Sequence, residues 1–332
     1  MSLPLPVVAD EPGPAGAALP ATAAERVKLT LGQWLRFGPF LAQLVVTRRC
    51  NLSCGYCNEY DDHSPPVPFE VLDRRLTKLR ELRTWMVCLT GGEPTVHPEL
   101  PRIVARMREL GFRRRQLITN GYLLTPDLIE RLNQAGLTDL QISVDGVQRN
   151  ATTVKVLEKL RGKLVDLARH ARFQVVVSGV IGSAPPEEAL EVVRFARANG
   201  LTPRIILLHD GSGRLDLSAQ ELAAYREVKR IIGRAAREAS DYREELIAHG
   251  RAPFRCRAGS RYLYVDEHGK VGWCSQTRGA FERDLEAYSY KDLEEQFHTA
   301  KSCSDGCTVG CVRSASVYDR WRPQPGAAPP ET

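Results

Sequence analysis

Residues 41–57 read LAQLVVTRRCNLSCGYC, from Leu41 to Cys57. The first seven residues, Leu41–Thr47, form an apolar and β-branched run that is typical of a buried strand. Three cysteines follow at positions 50, 54 and 57. Parallel sheets place their active sites at the C-terminal ends of their strands. The stretch therefore predicts a thiol site in the loop that follows a buried parallel strand.

Short apolar strands alternate with helices along most of the chain. In the helix after the first strand, Phe69, Leu72, Leu76 and Leu79 recur with the helical period and share one face. The predicted strands are Leu41–Thr47, Met86–Thr90, Gln116–Thr119, Leu140–Val144, Gln174–Val180 and Arg204–Leu208. Such alternation is typical of a parallel sheet. Six units, fewer than the eight of a full barrel, predict an α/β fold with a partial (β/α)6 TIM-like barrel.

The pattern changes after Gly250. Two aromatic strand-like segments, Arg261–Val265 and Lys270–Trp273, flank a turn and predict a β-hairpin in a small C-terminal cysteine-rich α+β module. Earlier in the chain, Thr125 with Pro126 predicts the start of the helix after the third strand, and Gly136 predicts its end. Ser218 with Glu221 predicts the capped start of a long helix before the module. The expected organisation is a disordered tail at 1–25, a core barrel at 38–215, a connecting helix at 216–250, the cysteine-rich module at 251–318 and a disordered tail at 322–332.

Composition and charge exclude several classes of protein. The 332 residues are 43% hydrophobic and 26% charged, which is ordinary for a globular protein. No apolar run approaches the length of about 20 residues that a membrane-spanning helix needs, and Met1–Leu19 does not resemble a signal peptide. The net charge of +6 is far from the dense basic surface of a nucleic-acid binder. We therefore expect a cytoplasmic protein with no transmembrane segment and no nucleic-acid partner.

Nine cysteines are the most informative part of the composition. An odd number without a secretory signal argues against a disulfide framework and for metal-binding or catalytic thiols. Cys88 lies inside the apolar second strand and is expected to be a small core residue. The triad at 50, 54 and 57 is a soft ligand set that suits iron–sulfur clusters or zinc. A structural zinc site would need a fourth nearby ligand, and His63 is placed too loosely to supply it.

The triad, its position after the first strand, and Gly91-Gly92-Glu93-Pro94 at the end of the second resemble the radical S-adenosylmethionine (SAM) superfamily. The resemblance implies that Cys50, Cys54 and Cys57 hold a [4Fe-4S] cluster whose fourth iron binds SAM. It also implies reductive cleavage of SAM to a 5′-deoxyadenosyl radical, which abstracts hydrogen from a substrate. In such reactions the cofactors supply the chemistry, and the protein supplies positioning and exclusion of water.

The same resemblance implies a set of SAM-binding positions. Gly91 and Gly92 allow close backbone approach, and Glu93 matches the family's contact to the SAM amino group. Tyr56 stands where the family has an aromatic residue that faces adenine. The remaining positions, expected near ribose, carboxylate and adenine, are Thr119, Asn120, Ser143 and Ile181.

The second group of cysteines resembles the auxiliary-cluster domains of radical SAM maturases, called SPASM in the long form and twitch in the short form. Cys256 and Cys274 flank the hairpin, and Cys303, Cys307 and Cys311 follow after a gap. The number of cysteines fits the short form with one additional [4Fe-4S] cluster and leaves one cysteine over. Gly306 and Gly310 favour a loop around that cluster over a helix. A zinc site with four of the cysteines, and a cluster with three ligands and an open iron, remain alternatives.

The substrate is not fixed by the sequence. A small molecule, a lipid precursor and a peptide all fit, and the weak candidates for catalytic residues are Tyr122, Arg204, His209 and Asp210. The basic run Arg48-Arg49 is expected to be solvated, or else to dock an acidic electron donor such as flavodoxin or ferredoxin. A non-catalytic iron–sulfur or zinc protein is the alternative, but it would have no need of Glu93. An RNA-modifying enzyme would be expected to carry a nucleic-acid-binding module.

Overall fold

A computed structural model describes residues 28–57, 59–208, 215–233 and 242–319. The two expected disordered tails and the candidates His209 and Asp210 lie outside these ranges.

The fold is built on one open sheet of nine strands in the order β6-β5-β4-β3-β2-β1-β7-β8-β9. The strands are β1 Leu41–Thr47, β2 Met86–Gly91, β3 Arg114–Thr119, β4 Asp139–Val144, β5 Gln174–Ile181, β6 Thr202–Leu207, β7 Tyr262–Val265, β8 Lys270–Gly272 and β9 Arg283–Asp284. The strands from β6 to β7 in this order pair in parallel. The pairs β7–β8 and β8–β9 are antiparallel. The sheet does not close, and the predicted partial barrel is confirmed.

The described ranges contain the α-helices given next, of which the second to the seventh cover the outer face of the six barrel strands. They are α1 Leu31–Phe37, α2 Phe69–Glu81, α3 Leu100–Glu109, α4 Pro126–Ala135, α5 Leu157–His170, α6 Pro186–Ala198, α7 Ala219–Ile232, α8 Tyr242–His249, α9 Tyr290–His298 and α10 Gly310–Ser316. Leu72, Leu76 and Leu79 of α2 are fully buried against the sheet, as their spacing predicts. None of the helices within these ranges is both long and apolar enough to cross a membrane.

The local signals for helix ends are confirmed at two helices, and the connecting segment differs from its prediction. Thr125 caps the start of α4, and Gly136 ends the helix with a φ of 87°. Ser218 and Glu221 form the capping box of α7. A single connecting helix over 216–250 is wrong, because α7 ends at Gly233, which adopts a φ of 90°. A separate helix, α8, then runs from Tyr242 to His249.

Strand β1 joins the barrel to the C-terminal hairpin. One edge pairs with β2 and the other with β7, where Leu41 is in register with Tyr262. The inner face of this junction packs Val45, Cys88 and Tyr262 into an apolar cluster that also contains Cys256 and Cys274. Cys88 is 1% exposed, which confirms it as a core residue.

Arg261, at the start of the hairpin, ties the two ends of the described chain together. Its guanidinium donates hydrogen bonds to Asp319 at 2.8 and 3.1 Å. It also donates to the carbonyl oxygens of Trp34, Leu35 and Gly38 around the end of α1, at 2.7–2.9 Å. Both charged side chains are buried, so each depends on the other for compensation of its charge.

We expect Arg261→Ala to lower the free energy of unfolding by about 3 kcal/mol or more, because it leaves the buried Asp319 carboxylate and several carbonyl groups without a donor. Urea denaturation would measure the change. Arg169→Ala is the matched control, since Arg169 is exposed on α5. A similar small loss in both variants would contradict the structural role of Arg261.

Candidate functional site

The first cysteine loop leaves the C-terminal end of β1 and is held by backbone hydrogen bonds. Cys50 N donates to the carbonyl oxygen of Asp61 at 2.9 Å, and Asp61 N donates back to Arg48 at 2.9 Å. Gly55 N donates to Thr152, in the segment between β4 and α5, at 3.1 Å. These hydrogen bonds join the two ends of the loop to each other and attach its middle to the segment between β4 and α5.

One cavity, at the C-terminal ends of the barrel strands, is lined by most of the residues predicted to bind the cluster and SAM. The side chains of Cys50, Cys54 and Cys57 line it. The ends of β2, β3 and β4 contribute further predicted residues, namely Gly91, Gly92, Glu93, Thr119, Asn120 and Ser143. Residues from three neighbouring strand ends and the cysteine loop therefore face a common space.

Two predicted residues lie elsewhere. Ile181 is fully buried in an apolar cluster with Val193 and Ile205, on the side of the sheet covered by α6 and α7. Tyr56 is 37% exposed, and its hydroxyl donates a hydrogen bond to Asp145 Oδ2 at 2.6 Å. Its ring lies beside Lys155, whose Nζ is 5.0 Å from the ring centroid.

Gly91 and Gly92 are required by the contact between the cysteine loop and the end of β2. Gly91 has a φ of 145°, and a Cβ there would collide with the carbonyl oxygen of Thr47. A Cβ on Gly92 would collide with the carbonyl oxygens of Arg48 and Arg49. Because neither glycine has a side chain, the two segments come close enough for backbone hydrogen bonds. Gly92 N donates to the carbonyl oxygen of Thr47, and Glu93 N donates to the carbonyl oxygen of Arg49, both at 2.9 Å. The two glycines thus place Glu93 directly beside the base of the cysteine loop.

Glu93 is a buried carboxylate that is held by hydrogen bonds. Its Oε1 accepts from Thr95 N at 3.0 Å, from Thr95 Oγ1 at 2.5 Å and from Thr119 Oγ1 at 2.6 Å, and its Oε2 accepts from Asn120 N at 2.7 Å. Burial raises the pKa of Glu93, and these hydrogen bonds act to lower it. Within the described ranges no Lys, Arg or His forms an ion pair with Glu93, so the carboxylate is suited to receive an ammonium group.

Lys155 lines the same cavity and was missed by sequence reasoning. Its Nζ lies 3.2 Å from Asp145 Oδ2, which also accepts from Thr153 Oγ1 at 2.7 Å. Burial alone would lower the pKa of Lys155, but the nearby Asp145 carboxylate and Tyr56 hydroxyl raise it above its ordinary value. No spacing signal marks Lys155, which belongs to the segment between β4 and α5. Lys155 brings a positive charge to the side of the cavity formed by β4.

The second cysteine group lies against the inner face of the barrel. Cys256 and Cys274 are buried, Cys307 and Cys311 are half-buried, and Cys303 is exposed. Burial raises the pKa of the Cys256 thiol to about 11. The predicted loop at Gly310 is wrong, because α10 begins there and carries Cys311 in its first turn. Gln43 of β1 donates from Nε2 to Cys311 Sγ at 3.7 Å.

The soft thiol groups of both cysteine sets fit iron–sulfur ligation. In the described part of the chain, no three or more His, Cys, Asp or Glu side chains are grouped to hold a single metal ion. A cluster of several irons bridges its thiolates over a longer span than one ion does, and it suits these sets better.

A buried ionic network connects the first cysteine loop to the hairpin. Tyr264 of β7 donates its hydroxyl to Glu59 Oε2 at 2.7 Å. Arg48 lies 3.6 Å from both Glu59 and Glu267, and Arg278 lies 3.8 Å from Glu59. The expectation that Arg48 is solvated is wrong, because its side chain is 12% exposed and belongs to this network. No sequence pattern connects residues about 200 positions apart in this way.

The weak catalytic candidates within the described ranges do not line the cofactor cavity. Tyr122 donates its hydroxyl to the carbonyl oxygen of Val154 and packs against the outer apolar core. Arg204 points into the barrel, where its Nη1 donates to Gln141 Oε1 at 3.0 Å.

Comparisons with known proteins agree with this geometry. The family model of the radical SAM superfamily matches residues 44–216, just over half of the chain. The 7,8-dihydro-6-hydroxymethylpterin dimethyltransferase of Methanocaldococcus jannaschii is 31% identical over 170 residues, covering 48% of this chain and 34% of that protein. The PqqA peptide cyclase of Methylocella silvestris is 30% identical over 258 residues, covering 70% of this chain and 66% of that protein.

Among solved structures, Streptococcus suis SuiB bound to precursor peptide SuiA is similar, with a TM-score of 0.61 at 14% identity, over 80% of this chain and 67% of that one. This likeness concerns the fold. The chain spans 34% to 56% of the length of the first curated relatives that it matches.

We expect Glu93→Gln to weaken SAM binding by about tenfold or more, because the amide loses the negative charge that faces the cavity and presents an NH2 group to one of the existing donors. Equilibrium binding of SAM to the anaerobically reconstituted protein would measure the change, with iron content checked in parallel. Glu109→Gln, at the outer end of α3, is the matched control. Unchanged affinity with full iron content would remove Glu93 from the site.

Proposed function

The chain belongs to the radical SAM superfamily, and on that premise we propose that it is an enzyme that reductively cleaves SAM and abstracts hydrogen from a substrate. The observation that carries the proposal is the single cavity lined by Cys50, Cys54 and Cys57 together with Glu93. When bound through these thiolates, a [4Fe-4S] cluster would supply the electron that converts SAM to methionine and a 5′-deoxyadenosyl radical. A non-catalytic metal-binding protein would have no use for a buried carboxylate facing the same space.

Different residues around the cavity are assigned to different groups of SAM. Glu93 presents a hydrogen-bonded carboxylate to the amino group, and its burial strengthens that attraction. Lys155 and Ser143, on the opposite side, suit the carboxylate of SAM, since both line the cavity and Lys155 is positively charged. Thr119 and Asn120 hold Glu93 in place by hydrogen bonds and also line the cavity. We assign no direct contact to Ile181.

The C-terminal cysteines are proposed to hold a second, auxiliary [4Fe-4S] cluster. Cys256 and Cys274 are the firmest ligands, because both are buried at the inner junction of β1 and β7. The remaining ligands come from Cys303, Cys307 and Cys311. The ionic network of Arg48, Glu59 and Tyr264 would keep the two metal centres in a fixed relation.

The substrate class and the partners are likewise proposals. PqqA peptide cyclase and the peptide complex of SuiB bring a peptide substrate into consideration, beside a small molecule or a lipid precursor. An acidic flavodoxin or ferredoxin is proposed as the electron donor. Of the Arg48-Arg49 pair only Arg49 is exposed and available for such docking. Nine free thiols suit the reducing cytoplasm, where we propose that the protein acts.

We expect wild-type protein to contain about eight irons per chain after anaerobic reconstitution, and the Cys50→Ala/Cys54→Ala/Cys57→Ala variant about four, because each tetranuclear cluster has its own thiol set. Iron and acid-labile sulfide analysis would measure the contents. Formation of 5′-deoxyadenosine from SAM with a chemical reductant should be lost in the variant.

Cys88→Ala is the matched control, since Cys88 is a core thiol that belongs to neither proposed ligand set. It should retain both clusters and the cleavage of SAM. Cleavage of SAM by the triple variant would refute the proposed function, and about four irons in the wild type falling to none would refute the auxiliary cluster.

A further inference from the structure

Two arginines, one buried and one half-buried, meet inside the barrel, away from the cofactor cavity. Arg204 comes from β6, and Arg243 comes from α8. Both guanidinium groups converge on Gly310, because a Cβ at that glycine would lie 2.7 Å from Arg204 Nη2 and 3.5 Å from Arg243 Nη2. The absence of a side chain at Gly310 therefore allows the Arg204 guanidinium to lie against the backbone of α10, close to that of Arg243.

Among the described residues, the two positive charges lack a carboxylate partner. In the part of the chain that the structure describes, neither Arg204 nor Arg243 forms an ion pair with Asp or Glu, and Arg204 Nη1 is bonded only to the neutral Gln141. Burial and the charge of Arg243 both lower the pKa of Arg204. Two like charges held together away from water are unfavourable until an anion compensates them. The thiol of Cys311 lies nearby, but even as a thiolate it would balance only one of the two charges.

A polar row connects this arginine pair to the cofactor cavity. Ser143 of β4 is in register with Ser178 of β5, and Ser178 is in register with Arg204 of β6. Residues in register in a parallel sheet point to the same face, so all three side chains face the inside of the barrel. Ser143 lines the cofactor cavity, and Ser178 is fully buried with no hydrogen-bond partner for its hydroxyl. A buried hydroxyl of this kind is costly unless a ligand completes it.

We propose that Arg204 and Arg243, with the Ser178 hydroxyl, bind an oxyanion of the substrate, a carboxylate or a phosphate. The inference rests on the proposed function, since it takes the molecule bound here to be the one whose hydrogen is abstracted. Guanidinium groups bind carboxylate and phosphate through paired N–H donors, and two of them would compensate the anion fully. The row Ser143–Ser178–Arg204 would set the oxyanion at one end of the substrate and the reacting carbon at the other, toward SAM.

The test is thermal unfolding of the reconstituted holoenzyme with succinate, with inorganic phosphate, and with chloride at matched ionic strength. An oxyanion that binds the folded state should raise the apparent Tm by about 3 °C at ten times its Kd, relative to chloride. A response to succinate assigns a carboxylate, and a response to phosphate assigns a phosphate. Either response supports the proposal when it depends on the arginine pair.

Three variants establish that dependence. Arg204→Gln removes one charge and should abolish the response. Gly310→Ala keeps both arginines but places a Cβ 2.7 Å from Arg204 Nη2, which forces that guanidinium out of its position, and it should abolish the response as well. Arg194→Gln, exposed on α6, is the matched control and should respond as the wild type does.

The proposal is overturned if wild-type protein responds no more to either oxyanion than to chloride, or if Arg204→Gln and Gly310→Ala respond as fully as the wild type. Loss of iron in Arg204→Gln, without any oxyanion response in the wild type, would also overturn it and make the pair a partner of the auxiliary cluster. A separate measurement of SAM cleavage distinguishes failure of the proposed oxyanion site from failure of the proposed function. Cleavage without an oxyanion response refutes this site alone, and a response without cleavage refutes the proposed function alone.

Discussion

The pairing of β1 on both of its edges is the constraint on which the rest of the structure depends. All seven residues of Leu41–Thr47 are buried, with β2 along one edge and β7 along the other. The carboxyl end of this strand carries the first cysteine loop. The partner strand β7 belongs to the hairpin flanked by Cys256 and Cys274. One strand thus fixes the relative position of two thiol groups about 200 residues apart in sequence, and a shift in its register would displace both.

The buried charges show a consistent difference between scaffold and site. Arg261 is compensated fully by Asp319 and by carbonyl oxygens. Such groups fix the geometry, because removing one partner leaves a buried charge whose cost is several kcal/mol. Glu93, the free oxygen of Asp145 and the Arg204–Arg243 pair are compensated only in part by the protein. A folded chain tolerates this where a ligand supplies the missing charge, so incomplete compensation marks where ligands belong.

Local sequence signals predicted the fold well, because they depend on neighbours in the chain. The six barrel strands were located within two residues of their observed ends, and the caps at Thr125 and Ser218 follow directly from residue type. Two errors came from the same kind of signal. Glycine at 310 suggested a loop but starts a helix, since its lack of a side chain serves the approach of Arg204 rather than a turn. The capped start at Ser218 suggested one long helix, which Gly233 interrupts.

Sequence reasoning missed Lys155 and named Arg204 only as a weak catalytic candidate, because the roles of both residues depend on contacts that the sequence does not display. Lys155 gains its role from Asp145, which directly follows β4 in the same connection to α5, and Arg204 gains its role from Ser178 on one side and from α8 on the other. Neither has a spacing signature, because the atoms that define its environment lie tens to hundreds of positions away. Strand register also explains the direction in which the proposed substrate site extends from the cofactor cavity. In a parallel sheet, residues in register on successive strands lie side by side, so Ser143, Ser178 and Arg204 extend across the inner face, away from the cofactor cavity and toward Cys311. A substrate bound along that row would lie between the two groups of thiols.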